Sequence, residues 1–342
     1  MSEPLRVGLV GYGYAGRTFH APLIAHTAGM QLAAVASSQV EAVQADYPAA
    51  LLCDTPESLF ARADIDLVVL ATPNASHYPL ARAALRAGKH VVVDKPFTLT
   101  VQEAEALHAA ASQTDRLLSV FHNRRWDSDF LLIKQLLAQG TLGRITAFES
   151  HFDRFRPQVR KRWREAAVPG AGIWFDLGPH LIDQTLQLFG MPEAIQADIH
   201  ARREGAEAAD DALAVLHYPG MRVLLGASCL MAGGSARFLL AGTEGSLRID
   251  GLDNQEDQLK AGLRPGAAGW AQDPRQATLY DVGGARNMSL PNGQYSHYYA
   301  AVAAALRGEA PNPVPASEAL AVMRIIEAGM ASSAQGARIA LG

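Results

Sequence analysis

Cysteine is nearly absent: Cys53 and Cys229 are the only two in 342 residues, and they lie far apart. That scarcity excludes a disulfide framework and a cysteine-rich metal centre, and both residues read as small interior side chains in a reducing compartment, the cytoplasm. No charged n-region followed by a long apolar run accompanies Met1-Ser2-Glu3-Pro4, so no secretory leader is expected. Apolar stretches of membrane-spanning length are also missing. There is no basic excess, since the formal net charge is −4, and this argues against a nucleic-acid partner. The local run Arg160-Lys161-Arg162-Trp163-Arg164 therefore reads as a solvated or phosphate-facing segment. No repeat of solenoid period and no coiled-coil heptad is found. The length allows two domains with sizeable cores.

What is present begins with a short apolar strand, residues 5–10, that runs into Gly11-Tyr12-Gly13-Tyr14-Ala15-Gly16. Each glycine has a mechanical reason to be there. Gly11 makes the tight turn, Gly13 lets a pyrophosphate approach the backbone, and Gly16 lets the next helix pack close. A helix over 15–28 and a second strand over 32–36 supply the context that a bare glycine pattern lacks, and the helix N-terminus offers free amides to phosphate. The acid that would bind a free ribose 2′-hydroxyl is missing. Ser37-Ser38-Gln39 occupy its place. Hydroxyls there, with Arg17 early in the helix, favour NADP, the alternative being NAD with Glu41 turned onto the ribose.

A buried parallel strand ends in Val91-Val92-Val93-Asp94-Lys95-Pro96. Proline cannot continue the ladder, so Asp94 and Lys95 fall at the carboxyl edge of the sheet, where ligands of open α/β sheets sit. A surface ion pair is the plainer alternative. Farther on, Asp176-Leu177-Gly178-Pro179-His180-Leu181-Ile182-Asp183 predicts a helix beginning near Asp176, with Pro179 in its first turn and Gly190 at its end. Asp176, His180 and Asp183 then share one face, and carboxylates beside an imidazole suit proton transfer. Alternatively Asp176 caps the helix and His180 is a satisfied core residue. No further His or Cys cluster accompanies them, so no metal site is expected.

Together these three motifs resemble the Gfo/Idh/MocA oxidoreductase family over essentially the whole chain. The family's usual Glu-Lys-Pro is Asp94-Lys95-Pro96 here. The stretches Phe121-His122-Asn123-Arg124-Arg125-Trp126-Asp127 and Phe152-Asp153-Arg154-Phe155-Arg156-Pro157 look like the branch containing NADP-dependent scyllo-inositol dehydrogenases. The resemblance implies catalytic roles for Lys95, Asp176 and His180. It implies a cofactor site built from Gly11, Tyr12, Gly13, Tyr14, Ala15, Gly16, Ser37, Ser38, Thr72, Pro73, Asn74, His77, Asp94, Lys95 and Asn123. Asn74 and His77 would alternatively, or additionally, cap the following helix. Substrate contacts are expected from Lys95, Arg124, Arg154, Asp176, His180 and Tyr298. The implied reaction is hydride transfer between NADP and a secondary alcohol or ketone of a cyclic polyol or sugar, with an inositol foremost. The alternatives are nicotinamide-dependent glycosidic cleavage and a non-catalytic cofactor sensor.

The fold class expected is α/β: a doubly wound parallel Rossmann sheet over 1–123, then an α+β domain over 124–342 with a large, mostly antiparallel sheet. Strands at 66–71 and 117–121 and helices at 79–87 and 101–111 complete the first. In the second, strands at 145–155, 195–201, 212–218, 222–231, 236–241 and 246–249 precede an irregular excursion, 251–284, and helices at 294–306 and 317–334. The resemblance implies one open sheet face, and covering it predicts a homodimer or homotetramer.

Overall fold

The computed structural model describes residues 3–341. Six strands form a parallel sheet in the order β3-β2-β1-β4-β5-β6: β1 Leu5–Val10, β2 Met30–Ala36, β3 Leu51–Cys53, β4 Leu67–Leu70, β5 His90–Val93 and β6 Leu118–Val120. The central strands are apolar without alternation, and Val7, Leu9, Leu67, Val68, Val69, Val91, Val92 and Val93 are wholly buried. Helices cover both faces of such a sheet, which is why its strands lack a polar side. The helix Val101–Thr114 starts where Thr100 accepts the Glu103 amide through its hydroxyl (3.1 Å), a conventional N-cap.

The chain packs as two compact units, each assembled from separated segments. Unit 1 comprises the chain through Trp126, Asn254–Ala271 and Gln294–Leu320. The later segments complete its core: Tyr298 packs edge-on against Phe121 (centroids 4.9 Å apart), and the Val120 amide donates to the Val314 carbonyl (3.1 Å).

Unit 2 comprises Asp127–Asp253, Gln272–Gly293 and the chain from Ala321 onward. Its nine strands are β7 Ile145–His151, β8 Ala194–His200, β9 Asp211–Tyr218, β10 Met221–Ser228, β11 Phe238–Gly242, β12 Ser246–Ile249, β13 Gln276–Asp281, β14 Gly284–Ser289 and β15 Ile339–Ala340. They lie in the order β14-β13-β12-β11-β7-β10-β9-β8-β15. Only β7 and β10 pair in parallel; the other neighbours are antiparallel. The helix Ile173–Phe189 packs on β9 and β10, burying Ala212, Ala214, Leu216, Val223 and Leu225. Alternate residues Leu213, Val215, Leu224 and Leu239 are exposed or half-buried, so this sheet has one covered face and one apolar face less covered.

Several expectations need correction. The helix expected over 15–28 is a π-helical turn, Gly16–His20, continuing as a short α-helix, Ala21–Ala25. The excursion over 251–284 is partly regular: it holds the helix Gln255–Lys260, strand β13 and the start of β14. Its glycines and prolines masked a hairpin whose strands alternate only weakly. The strand expected to reach residue 155 ends at His151, yet the amides of Phe152, Arg154 and Arg156 still donate to the carbonyls of Gly226, Ser228 and Cys229. The helix expected from Asp176 starts at Ile173, so Pro179 lies inside it. Gly172 is the N-cap residue and the Asp176 amide donates to its carbonyl (3.1 Å), which rules out a capping role for Asp176.

Candidate active site

The glycine turn of unit 1 behaves as its spacing demands. Gly11 has φ +93°, a conformation costly for a residue with a side chain. A Cβ at Gly16 would lie 2.1 Å from the Gly11 carbonyl oxygen, whereas one at Gly13 would meet nothing within 4 Å. The turn is therefore closed on its inner side and open above Gly13. That open main-chain cradle at the start of a helical turn fits the pyrophosphate of a dinucleotide.

Ser37, at the carboxyl end of β2, accepts the amides of Tyr12 (3.2 Å) and Gln39 (3.1 Å) on its hydroxyl oxygen. Its own proton remains available to an acceptor. Ser38 beside it is exposed. Arg17 is engaged by Asp46 (Nε to Oδ2 2.8 Å), which also accepts the Tyr12 hydroxyl (2.8 Å). Asp46 was not expected from the sequence and gives the guanidinium a fixed anchor. Tyr14 is half exposed, and its hydroxyl donates to Glu256 (2.5 Å).

At the end of β5, Asp94 turns its Oδ1 back to accept the Lys95 amide (2.7 Å), and the Lys95–Pro96 peptide is cis. Lys95 is half-buried. Behind them sits His20, wholly buried, with Nδ1 2.6 Å from the Tyr299 hydroxyl and Nε2 3.8 Å from Asp94. Burial pushes the Asp94 carboxyl up, but His20, Lys95 and His77 outweigh it and hold Asp94 below its usual range. His20 is a positioning candidate that sequence reasoning passed over. A histidine in the first helical turn carries no spacing signal.

Thr72, Pro73 and Asn74 form the loop after β4, where the Ser76 hydroxyl donates to the Thr72 hydroxyl (2.7 Å). His77 differs from expectation. It is completely buried, with Nδ1 2.8 Å from the Pro96 carbonyl oxygen and Nε2 2.9 Å from that of Thr72. Burial pushes its pKa down despite Asp94 and these carbonyls. It does not cap the helix His77–Arg86; it braces the Thr72 loop against the Pro96 turn.

Two expected substrate residues are likewise placed in the interior of unit 1. Tyr298 is fully buried, its hydroxyl 2.9 Å from that of Ser119. Arg124 is buried and paired to Glu256 (3.1 Å). Each is thus held by groups of its own unit, a placement that the sequence did not signal. Glu256 was itself unforeseen and joins Tyr14, Arg124 and Lys260. Asn123 is buried at the start of the turn Asn123–Trp126.

In unit 2 the helix Ile173–Phe189 carries Asp176, half-buried, and one turn later His180, which is 5% exposed. Asp183 follows on the same face and is buried. The helix is fixed by Trp174, whose Nε1 donates to the Ile326 carbonyl (3.1 Å). Gly178 permits that approach, because a Cβ there would lie 2.9 Å from Ile326 Cδ1. The Phe152 ring lies nearly parallel to His180 (centroids 6.4 Å apart) and beneath the Arg154 guanidinium (5.4 Å).

Asp176 opens onto a recess with Arg154, Arg164, Glu165, Arg203 and Asp210. Arg203 is the hub: it meets Asp210 (2.7 Å) and Glu165 (3.0 Å), and donates to the carbonyls of Arg156 and Gln158 (both 3.1 Å). Nothing in local spacing announced it. Arg154 and Arg164 stand 3.6 and 3.7 Å from opposite oxygens of Asp176. Among the described residues no group of three or more His, Cys, Asp or Glu side chains is arranged to hold a metal ion, and no helix is long and apolar enough to cross a membrane.

Comparison with known proteins agrees with this geometry. Residues 5–122 match the Gfo/Idh/MocA oxidoreductase family's NAD-binding Rossmann fold, and residues 134–341 match its C-terminal alpha/beta domain. The chain is 51% identical to the uncharacterized oxidoreductase YdgJ of Escherichia coli over the full length of both. It is 39% identical to the scyllo-inositol 2-dehydrogenase (NADP(+)) IolW of Bacillus subtilis, over 99% of this chain and 96% of IolW. The solved structure of YPO2259 from Yersinia pestis is similar with a TM-score of 0.95 at 51% identity, covering 100% of this chain and 98% of that one. With a glycine cradle, a Lys-Pro strand end and an Asp-x-x-x-His helix in matching order, the chain belongs to the Gfo/Idh/MocA family of oxidoreductases.

Proposed function

We propose that the protein transfers hydride between NADP and a secondary alcohol or ketone of a cyclic polyol or sugar, an inositol being the leading candidate. The observation that carries this reading is the Asp176–His180 helix face, where a buried imidazole follows a carboxylate by one turn, in a chain whose Gly11–Gly16 cradle accepts a pyrophosphate. NADP, when bound, supplies the acceptor or donor of hydride. His180 takes the hydroxyl proton as the carbonyl forms, and returns it in reduction. Asp176 orients the imidazole and stabilises its charged form. Lys95 stabilises negative charge developing on the reacting oxygen.

The cofactor cradle is assigned to Gly11 through Gly16, with Ser37 and Ser38 at the ribose, the Thr72–Asn74 loop, Asp94, Lys95 and Asn123 along its length. NADP is favoured over NAD because Ser37 retains a proton to donate and Ser37-Ser38-Gln39 stand where an acid would repel a 2′-phosphate. IolW, named as an NADP(+) enzyme, supports the same preference and the inositol class. A second copy of the chain is proposed to cover the face of Leu213, Val215, Leu224 and Leu239, as dimer or tetramer. Two unpaired cysteines suit the cytoplasm.

The test is nicotinamide absorbance with purified protein and a panel of inositols, aldoses and aldonic acids, each with NADP and with NAD. Turnover with NADP on one cluster of substrates is expected. Measurable NADPH binding with silence across the panel would overturn the dehydrogenase reading in favour of a sensor.

A further inference from the structure

The recess beside Asp176 is divided into two layers of charge. In the inner layer Arg162 and Arg203 are matched by Glu165 and Asp210 at 2.7–3.0 Å. Glu165 and Asp210 are nearly inaccessible, and although burial pushes the Glu165 carboxyl up, its contacts to Arg160, Arg162 and Arg203 hold it below the usual range. This layer is internally neutral and builds a rigid floor. The outer layer is different: Arg154 and Arg164 share the single carboxylate of Asp176, and neither comes within hydrogen-bond distance of it.

Two guanidiniums on opposite oxygens of one carboxylate leave a surplus positive charge at the mouth of the recess. Each is held from behind: Arg154 lies over Phe152 (5.4 Å) and Arg164 over Trp163 (4.6 Å). These side chains are about one quarter and one third exposed, so they are oriented but reachable. The neighbouring Arg156 sits in a field positive enough that, after burial, Arg154, Arg160 and Arg162 are what pull its pKa down. A partly exposed planar fork carrying surplus charge matches the geometry of carboxylate and phosphate oxygens.

We propose that the substrate carries an anionic group, a carboxylate or a phosphate, which Arg154 and Arg164 grip beside Asp176, so that the protein acts on a polyol acid or polyol phosphate in preference to a neutral polyol. This inference rests on the oxidoreductase reading but moves its substrate class from a neutral inositol to an acidic or phosphorylated polyol. The anion takes the place of long, indirect contacts to Asp176 with short charge-assisted hydrogen bonds, and fixes which hydroxyl of the polyol is presented to His180.

The test uses matched pairs differing in charge: D-gluconate against D-glucitol for carboxylate, and D-glucose 6-phosphate against D-glucose for phosphate. Binding is measured by calorimetry on NADPH-saturated protein, in which oxidation cannot proceed. At least one anionic member is expected to bind about tenfold or more tighter than its neutral partner, the lower end of what a hydrogen bond to a charged group contributes. Which pair shows the preference identifies the source of the anion. The preference is expected to collapse in the double variant Arg154→Gln/Arg164→Gln. Should that variant fail to fold, raising salt from about 0.05 M to about 0.5 M must erode the preference in the native protein. Equal or tighter binding of the neutral members, a preference indifferent to both arginines and salt, or no binding of either anion overturns the proposal. Turnover with NADP on the same compounds separates the two readings. Oxidation of neutral polyols without anion preference refutes the anionic substrate alone, and arginine-dependent anion binding without NADP reduction of any compound refutes the oxidoreductase reading alone.

Discussion

Unit 1 and unit 2 expose their chemistry through different parts of the polypeptide. In unit 1 the surface offered to a ligand is largely main chain: the Gly11–Gly16 turn works because side chains are missing, and the nearby side chains Tyr12, Arg17 and His77 are held by other protein groups. In unit 2 it is side chains: Arg154, Arg164 and Asp176 face one recess whose floor is set by Arg203, Glu165 and Asp210. A main-chain site is thus defined by local spacing and tolerates no added atoms, whereas a charge-built site is defined by partners brought together from distant sequence and responds to any change in their balance.

The sharpest way to separate the two is His180→Ala. Turnover should fall by about 10²–10⁴-fold, the usual contribution of general acid–base catalysis, while NADPH affinity, read by fluorescence titration, stays near that of the native protein. A parallel loss of both would erase the distinction. Next comes the pair Gly16→Ala and Gly13→Ala. The first places a Cβ 2.1 Å from the Gly11 oxygen, and overpacking of that kind should cost about 1–3 kcal/mol of stability in urea unfolding. The second meets no protein atom, so stability should hold while NADPH binding weakens. Equal stability losses at both positions would remove the open-cradle argument.

The smallest effect concerns acid. Asp94 has a folded-state pKa below its ordinary value, so its ionised form stabilises the fold; that contribution is complete above about pH 4 and is lost as pH falls through the folded value. Asp94→Asn should therefore lower stability at neutral pH and flatten its decline below about pH 4. Parallel stability curves for the two proteins, from urea midpoints across that range, would show that His20 and Lys95 do not bias Asp94.

How much of this could be read beforehand follows the same division. The parallel sheet, the cradle and the strand end before Pro96 were legible because apolar runs, glycine spacing and a proline act on their immediate neighbours. The helix bearing Asp176 and His180 was legible as a helix, but its start was not, since a glycine N-cap gives no side-chain signal and Pro179 was assumed to mark the first turn. The burial of Tyr298 and Arg124 was not legible because their partners, Ser119 and Glu256, are more than a hundred residues away. His20 was invisible for that reason too, its partner Tyr299 lying near the other end of the chain, whereas Arg203 was invisible because an arginine seven residues before Asp210 forms no recognisable motif. The hairpin of β13 and β14 was lost in a composition that suggested no regular structure.

The assembly of unit 1 from three stretches of chain has a bearing on how it can be made. His20 and Phe121 sit against Tyr299 and Tyr298, and Val120 bonds to Val314, yet those partners leave the ribosome long after the glycine turn. A gene fragment ending near residue 123 would encode the nucleotide cradle without its cover, leaving aromatic rings and a strand edge open to other chains. The cradle reaches its finished form only when translation has passed residue 320, so a single cut cannot yield it as an independent module.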